Sequence, residues 1–308
     1  DWVTANASKP AVANMSLSGA ANSAVEDAVR SSISSGVTYV LAAGNKSSKD
    51  SCDYSPAGTR AAITVGATKS DDSKAAYSNI GTCIDMFAPG SGITSSWWTS
   101  DTAISTLSGT SMAAPHVAGV AALYLQNYPS ATPRAVSNAL QRMASFNKLS
   151  DIGSGSPNIL LYSRYSTISR YPFFRYFNTT NGDHFYTTAW SELGAGGYSS
   201  WTYEGVQGYL SPSSKANTTK LFRYYNTNNG DHFYTTSWSE LGSGGGNWTY
   251  EGVAGYVPTV AASDTAELYR YFNTSSGDHF YTTNWNELGA GGGSWVYEGV
   301  QCLIYTTP

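Results

Sequence analysis

Between positions 12 and 145 the apolar residues follow two alternating patterns, short runs of apolar and β-branched residues and longer stretches at helical spacing. Val12 to Leu17 reads as a strand. The next segment reads as a helix: Ser23-Ala24-Val25-Glu26 is a capping box, Val25, Ala28, Val29 and Ile33 are its apolar positions, and Gly36 is its stop. Val37 to Ala43 then predicts a buried strand ending at Gly44-Asn45. Strand, helix and strand make one βαβ unit, whose crossover is expected to be right-handed. A third strand is predicted over Ala61 to Ala67. Val117 to Leu125 predicts a buried helix, and Thr132 and Pro133 start another, as N-cap and first-turn residue, that runs to about Met143. The alternation argues for a parallel sheet covered by helices.

Near Arg164 the helical pattern fades and a threefold repeat takes over. Phe174-Arg175-Tyr176-Phe177, Phe222-Arg223-Tyr224-Tyr225 and Tyr269-Arg270-Tyr271-Phe272 each precede a turn that ends in Gly-Asp-His-Phe-Tyr-Thr-Thr. The aspartates Asp183, Asp231 and Asp278 are 48 and 47 residues apart. Trp-x-Glu-Leu-Gly follows at Trp190, Trp238 and Trp285, and Trp201, Trp248 and Trp295 open a last aromatic segment carrying Glu204, Glu251 and Glu298. Gly-Asp turns between aromatic runs fit about four short strands per copy. Three such copies suit a closed all-β structure, and the expected fold is a β-trefoil. The expected domains are 1–164 (α/β) and 165–308 (all-β, copies at about 172–214, 219–261 and 266–308), with a short junction at Ser163 to Tyr171.

Charged residues are 12% of the chain and the net charge is −4, which excludes a nucleic-acid-binding or membrane-surface profile. No apolar run has the length of a membrane-spanning helix. A monomer is expected.

The candidate chemistry lies in Gly109-Thr110-Ser111-Met112-Ala113-Ala114-Pro115-His116-Val117-Ala118-Gly119. Ser111 follows a turn-forming Gly-Thr pair and opens a helix, where unpaired N–H groups and the macrodipole stabilise negative charge. Pro115 is expected in the first turn. The plainer reading of Ser111 is a helix N-cap. Each repeat also carries an Asp-His pair. Adjacent strand residues point to opposite faces, so one pair is poorly placed to share a metal ion. The Asp is expected to close its turn and the His to pack or hydrogen-bond. The repeated tryptophans and tyrosines are expected mainly in the core, with some rings left to meet a carbohydrate or another surface ligand.

The Ser111 string resembles the nucleophile segment of the subtilisin-like serine proteases. Val12-Ala13-Asn14-Met15-Ser16-Leu17-Ser18-Gly19 resembles their substrate-binding strand, and Leu41-Ala42-Ala43-Gly44-Asn45 their oxyanion segment. Cys52-Asp53-Tyr54-Ser55-Pro56-Ala57 and Gly153-Ser154-Gly155-Ser156-Pro157-Asn158 point to the proteinase K and aqualysin branch. The resemblance runs from Asp1 to about Tyr162, and the repeats resemble aromatic segments of uncertain function appended to secreted bacterial hydrolases.

The resemblance implies Ser111 as nucleophile and Asn45 as oxyanion donor. It implies Ser16, Leu17, Ser18 and Gly19 as the stretch that pairs with substrate, and Ala42, Ala43, Gly44 and Tyr54 as the wall of the main specificity pocket, with an apolar or aromatic preference. Ser18 departs from the family's glycine. A Cys52–Cys83 disulfide is implied, leaving Cys302 as a buried small hydrophobe or the partner of a cysteine elsewhere. Asp85 matches a calcium-binding aspartate, against the plainer reading of a solvated side chain, and no cofactor is required for the chemistry. The family's D-x-G and H-G-T-x-x-A motifs, which carry its aspartate and histidine, do not occur. Both are expected upstream, the chain being read as the C-terminal part of a longer precursor that lacks about 110 to 120 residues and is inactive alone. The expected function is a secreted serine endopeptidase acting on proteins or peptides, with a substrate- or surface-binding β domain. The alternative is a non-catalytic carbohydrate- or surface-binding protein on a protease-derived scaffold.

Overall fold

The computed structural model describes residues 2–163, 170–196 and 200–308. Most of the expected junction, residues 164–169, lies outside them. The described chain divides into two units, 2–163 with 193–196, and 170–192 with 200–308.

The first unit is α/β. Its strands are β1 (Ala11–Met15), β2 (Gly19–Ala20), β3 (Val37–Ala42), β4 (Tyr54–Ser55), β5 (Ile63–Thr68), β6 (Met86–Pro89), β7 (Ile93–Ser96), β8 (Ile104–Leu107), β9 (Ser145–Phe146) and β10 (Ile159–Leu160). Its helices are α1 (Trp2–Asn6), α2 (Ser23–Ser34), α3 (Thr110–Asn127) and α4 (Pro133–Met143). Among the described residues six strands form one sheet in the order β1-β3-β5-β6-β10-β9, parallel from β1 to β10. The βαβ unit β1-α2-β3 is present. Strand β3 is buried along its whole length, which is why it reads as a continuous apolar run. Val29, Val37, Tyr39, Leu41 and Ala62 pack one face, and Ala43, Ile84, Phe87 and Leu149 form a second cluster.

Three local expectations are corrected. Asn22, not Ser23, caps α2, accepting from the Val25 N–H. The capping box fails because the Glu26 carboxylate accepts the Ser55 hydroxyl at 2.6 Å, a tertiary partner. Helix α3 begins at Thr110 with Gly109 as its N-cap, so Ser111 is the second helical residue and Pro115 the sixth, beyond the first turn. The run Val117 to Leu125 is buried on one face only, since Leu123 is exposed.

The second unit is all-β. Its first copy contains β11 (Tyr171–Asn178), β12 (His184–Thr187) and β13 (Trp201–Leu210). The second contains β14 (Thr218–Asn226), β15 (His232–Thr235), β16 (Gly244–Gly245) and β17 (Trp248–Pro258). The third contains β18 (Thr265–Asn273), β19 (His279–Thr282), β20 (Gly291–Gly292) and β21 (Trp295–Tyr305). The antiparallel ladders run chiefly within copies. Among the described residues, pairing between copies is the single β13–β21 register Tyr209↔Tyr305 and the bridge Ser211↔Tyr256. These ladders do not establish the six-stranded barrel of a β-trefoil.

Side chains join the copies instead. Asp183 accepts from the His232 backbone N–H and ring Nδ1, Asp231 from His279, and Asp278 from His184, the ring contacts being 2.5–2.7 Å. A carboxylate only accepts, which assigns the proton to Nδ1. The Asp side chain therefore reaches the next copy rather than closing its own turn. Tyr186, Tyr234 and Tyr281 form a parallel ring. Each hydroxyl donates to a tyrosine C=O of a neighbouring copy and accepts from that residue's N–H. Burial pushes these phenols well above their usual range, so they remain donors. Arg175, Arg223 and Arg270 pair with Glu204, Glu251 and Glu298 of their own copies and with Glu287, Glu192 and Glu240 of the preceding ones.

Candidate active site

Ser111 is held at the start of α3, where the first N–H groups have no intrahelical acceptor. Pro115 has no N–H to give to the Ser111 carbonyl one turn earlier. That carbonyl accepts the Ser16 hydroxyl at 2.7 Å, while the Ser111 Oγ lies 3.3 Å from the Ser16 carbonyl as donor. The proline thus frees the acceptor that ties the end of β1 to the candidate nucleophile. Ser16, Leu17 and Ser18 continue past β1 as exposed irregular chain, and Gly19 enters β2.

Asn45 is fixed by a residue that sequence reasoning did not single out. Thr110 donates to the Asn45 Oδ1 from its backbone N–H at 2.9 Å and its hydroxyl at 2.8 Å, and its hydroxyl accepts from the Gly44 N–H at 3.1 Å. With Oδ1 so engaged, the amide nitrogen is set beside Gly109, 3.2 Å from where a Cβ there would lie. Asn79, fully buried, braces the same turn by donating to the Ala43 carbonyl and accepting from the Lys46 N–H. Gly44 has φ +99°, and a Cβ there would sit 2.6 Å from the Asn79 amide nitrogen, so no other residue fits without a shift.

Ala42 and Ala43 are buried at the end of β3. The Ser18 Oγ lies 3.2 Å from the Cβ position of Gly44, so its side chain packs against the turn that follows β3. Tyr54 joins through the β2–β4 ladder, paired with Ala20. Thr110 therefore links Gly44 and Asn45 to the residue preceding Ser111, Ser16 bonds Ser111 itself, and Ser18 lies against Gly44. His116 belongs to α3, its Nδ1 2.8 Å from the Met112 carbonyl.

Cys52 and Cys83 are joined by a disulfide, with Cα atoms 5.3 Å apart. Cys302 is free and half-buried against the second unit's core, and burial pushes its thiol up to about 12. Asp85 accepts the Thr64 N–H at 2.8 Å and its backbone pairs with the same residue, a structural role between β5 and β6. Calcium takes six to eight oxygens. Among the described residues the one group of three convergent His, Cys, Asp or Glu ligand atoms is Asp183, Asp231 and Asp278, far along the sequence from Asp85. No chemistry is routed through a metal.

The profile of the Subtilase family matches residues 1–196, and a Domain of unknown function (DUF5648) matches residues 172–305. The chain is 58% identical over 163 residues to "Extracellular serine proteinase" of Thermus sp. (strain Rt41A), covering 53% of this chain and 40% of that one. It is 53% identical over 163 residues to "Alkaline serine exoprotease A" of Vibrio alginolyticus, covering 53% and 30%. A solved cold adapted subtilisin-like serine proteinase matches with TM-score 0.51 and 51% identity, over 54% of this chain and 59% of that one. The chain thus spans less than half the length of these two curated relatives. Its α/β unit has the subtilisin-like fold, and the chain belongs to the Subtilase family.

Proposed function

We propose that Ser111 is the nucleophile and Asn45 the oxyanion donor of a secreted serine endopeptidase, whose histidine base and orienting aspartate come from polypeptide outside these 308 residues. The Ser111 Oγ attacks the scissile carbonyl carbon as the base takes its proton. The oxyanion is held by the Asn45 amide and the Ser111 N–H, collapse expels the amine as the protonated base passes it that proton, and water, deprotonated by the same base, hydrolyses the ester and restores the Ser111 hydroxyl. Substrate backbone lies along Ser16 to Gly19, and an apolar side chain enters beside Ala42, Ala43, Gly44 and Tyr54. The observation carrying this reading is the double hydrogen bond from Thr110 to the Asn45 Oδ1. It orients an amide next to a serine at a helix N-terminus, preorganised for developing charge. Secretion is supported by the disulfide and by the name of the Thermus relative.

Asn45→Ala, assayed in a longer form that carries the base, is expected to lower kcat about 100- to 1000-fold with KM little changed, a magnitude taken from the equivalent donor of a subtilisin. An unchanged kcat would remove Asn45 from the mechanism.

A binding role for the repeats is a second proposal, carried by Trp238 and Trp285, which occupy equivalent positions and are 46% and 41% exposed. Retention of the full chain on an insoluble polysaccharide is expected to fall when both are replaced by alanine. Equal retention by the double variant rejects those rings as the contact.

A further inference from the structure

The three copies differ at one position where they meet. Gln207, Ala254 and Gln301 each follow Glu-Gly-Val, in the first, second and third copy. In the third copy the Gln301 side chain closes the junction with the second. Its amide nitrogen donates to the hydroxyls of Thr235 and Thr236 at 3.5 and 3.4 Å, and its carbonyl oxygen accepts from the Arg270 guanidinium at 2.7 Å. Between the third and first copies the Thr283 hydroxyl donates to the Gln207 backbone carbonyl at 3.3 Å. These two junctions set the threonine pair of one copy against the glutamine of the next.

The junction of the first and second copies has alanine instead, and a pocket of about 350 Å³ opens there. Thr188 and Leu210 line it from the first copy, Val253 and Ala254 from the second, with the rings of Tyr171 and Tyr256 beside them. Alanine supplies neither the donor nor the acceptor of a carboxamide. The counterparts of the groups that hold Gln301 are nevertheless kept: Thr187 and Thr188 match Thr235 and Thr236, and Arg223 matches Arg270. No Asp, Glu, Lys or Arg lines the pocket, and the charge of Arg223 is met by Glu251 and Glu192, which favours a neutral ligand. Ser211 and Tyr256 exchange both backbone hydrogen bonds at 2.9 Å, so the main chain bordering the pocket is spent on that pairing and not offered to a peptide strand. The volume is at the lower end of the roughly 300–1,000 Å³ of small-ligand sites, and tyrosine rings suit the apolar face of a sugar.

We infer that this pocket binds a neutral N-acetylated sugar whose acetamido group takes the place that Gln301 fills in the next junction, its N–H donating to Thr188, its C=O directed at Arg223 and its methyl group against Leu210, Val253 and Ala254. The site is separate from Ser111 and from Trp238 and Trp285, and stands or falls without them.

Equilibrium dialysis of the full chain against N-acetylglucosamine is expected to give one site, with glucose, which lacks the amide, bound about tenfold more weakly. Ala254→Gln should fill the pocket and weaken binding of the acetylated sugar at least about tenfold, with the unfolding midpoint kept. Gln301→Ala should open the equivalent pocket and add a second site. Replacing both Trp238 and Trp285 by alanine should leave the affinity unchanged. No binding of the acetylated sugar, equal affinity for the two sugars, unchanged affinity in Ala254→Gln, or tighter binding of H-Ala-Gln-Ala-NH2 than of the sugar overturns the inference. So does a folded Gln301→Ala chain that gains no site. Should Gln301→Ala not fold, the Ala254→Gln comparison still decides, because it adds a side chain that the next junction already accommodates.

Discussion

Asp183→Ala is expected to destabilise the three-copy unit by about 2 to 6 kcal/mol, because it leaves two buried donors without an acceptor at roughly 1 to 3 kcal/mol each. Asp183 is 2% exposed and accepts two hydrogen bonds from His232 of the next copy. Burial raises its carboxyl above the usual range, while the His232 contact pulls it back down. Alanine leaves the His232 N–H and ring nitrogen facing a void. Asp183→Asn should cost less, because the amide oxygen still accepts one bond. Since the bonds run from copy to copy in a ring, the damage should spread. Hydrogen exchange on the full chain is expected to speed up in 184–187, 232–235 and 279–282 together. Loss of protection confined to the substituted copy and its one neighbour would contradict ring closure.

Ser111→Ala is expected to reduce peptide hydrolysis about a million-fold in a longer form carrying the base, the size of the loss when the serine of a subtilisin is removed. Without Oγ no acyl-enzyme forms, and what remains is substrate orientation and oxyanion stabilisation. The fold should survive, because the Ser111 backbone carbonyl still accepts from Ser16. Unfolding midpoints of variant and parent should therefore agree while activity collapses. Equal activity would mean that another group performs the attack.

The α/β unit was legible because its signals are local. A continuous apolar run marked β3, Gly36 marked the end of α2, and Thr132-Pro133 marked the start of α4. What escaped depends on partners distant in sequence. Glu26 looked like half of a capping box until Ser55 took its carboxylate. Thr110 carries no signal of its own beyond standing next to Ser111, yet it orients Asn45. The Ser16 contact had a readable trace, since a proline four residues after Ser111 announces an unpaired carbonyl. In the repeats, the same Asp-His spacing permits pairing within a copy or between copies, and only the fold decides which. Within one copy the adjacent Asp and His point apart, whereas the three carboxylates of the three copies converge within 4.8 Å. Each already accepts from the next copy's histidine.

The proposed chemistry requires one activated hydroxyl at the head of α3, that of Ser111. Treating a base-carrying longer form with a fluorophosphonate and mapping the adduct by mass spectrometry tests it most directly. One stoichiometric adduct is expected, on Ser111, with activity lost in proportion. An adduct on another serine, or full inactivation of a Ser111→Ala form that still hydrolyses peptides, would contradict it.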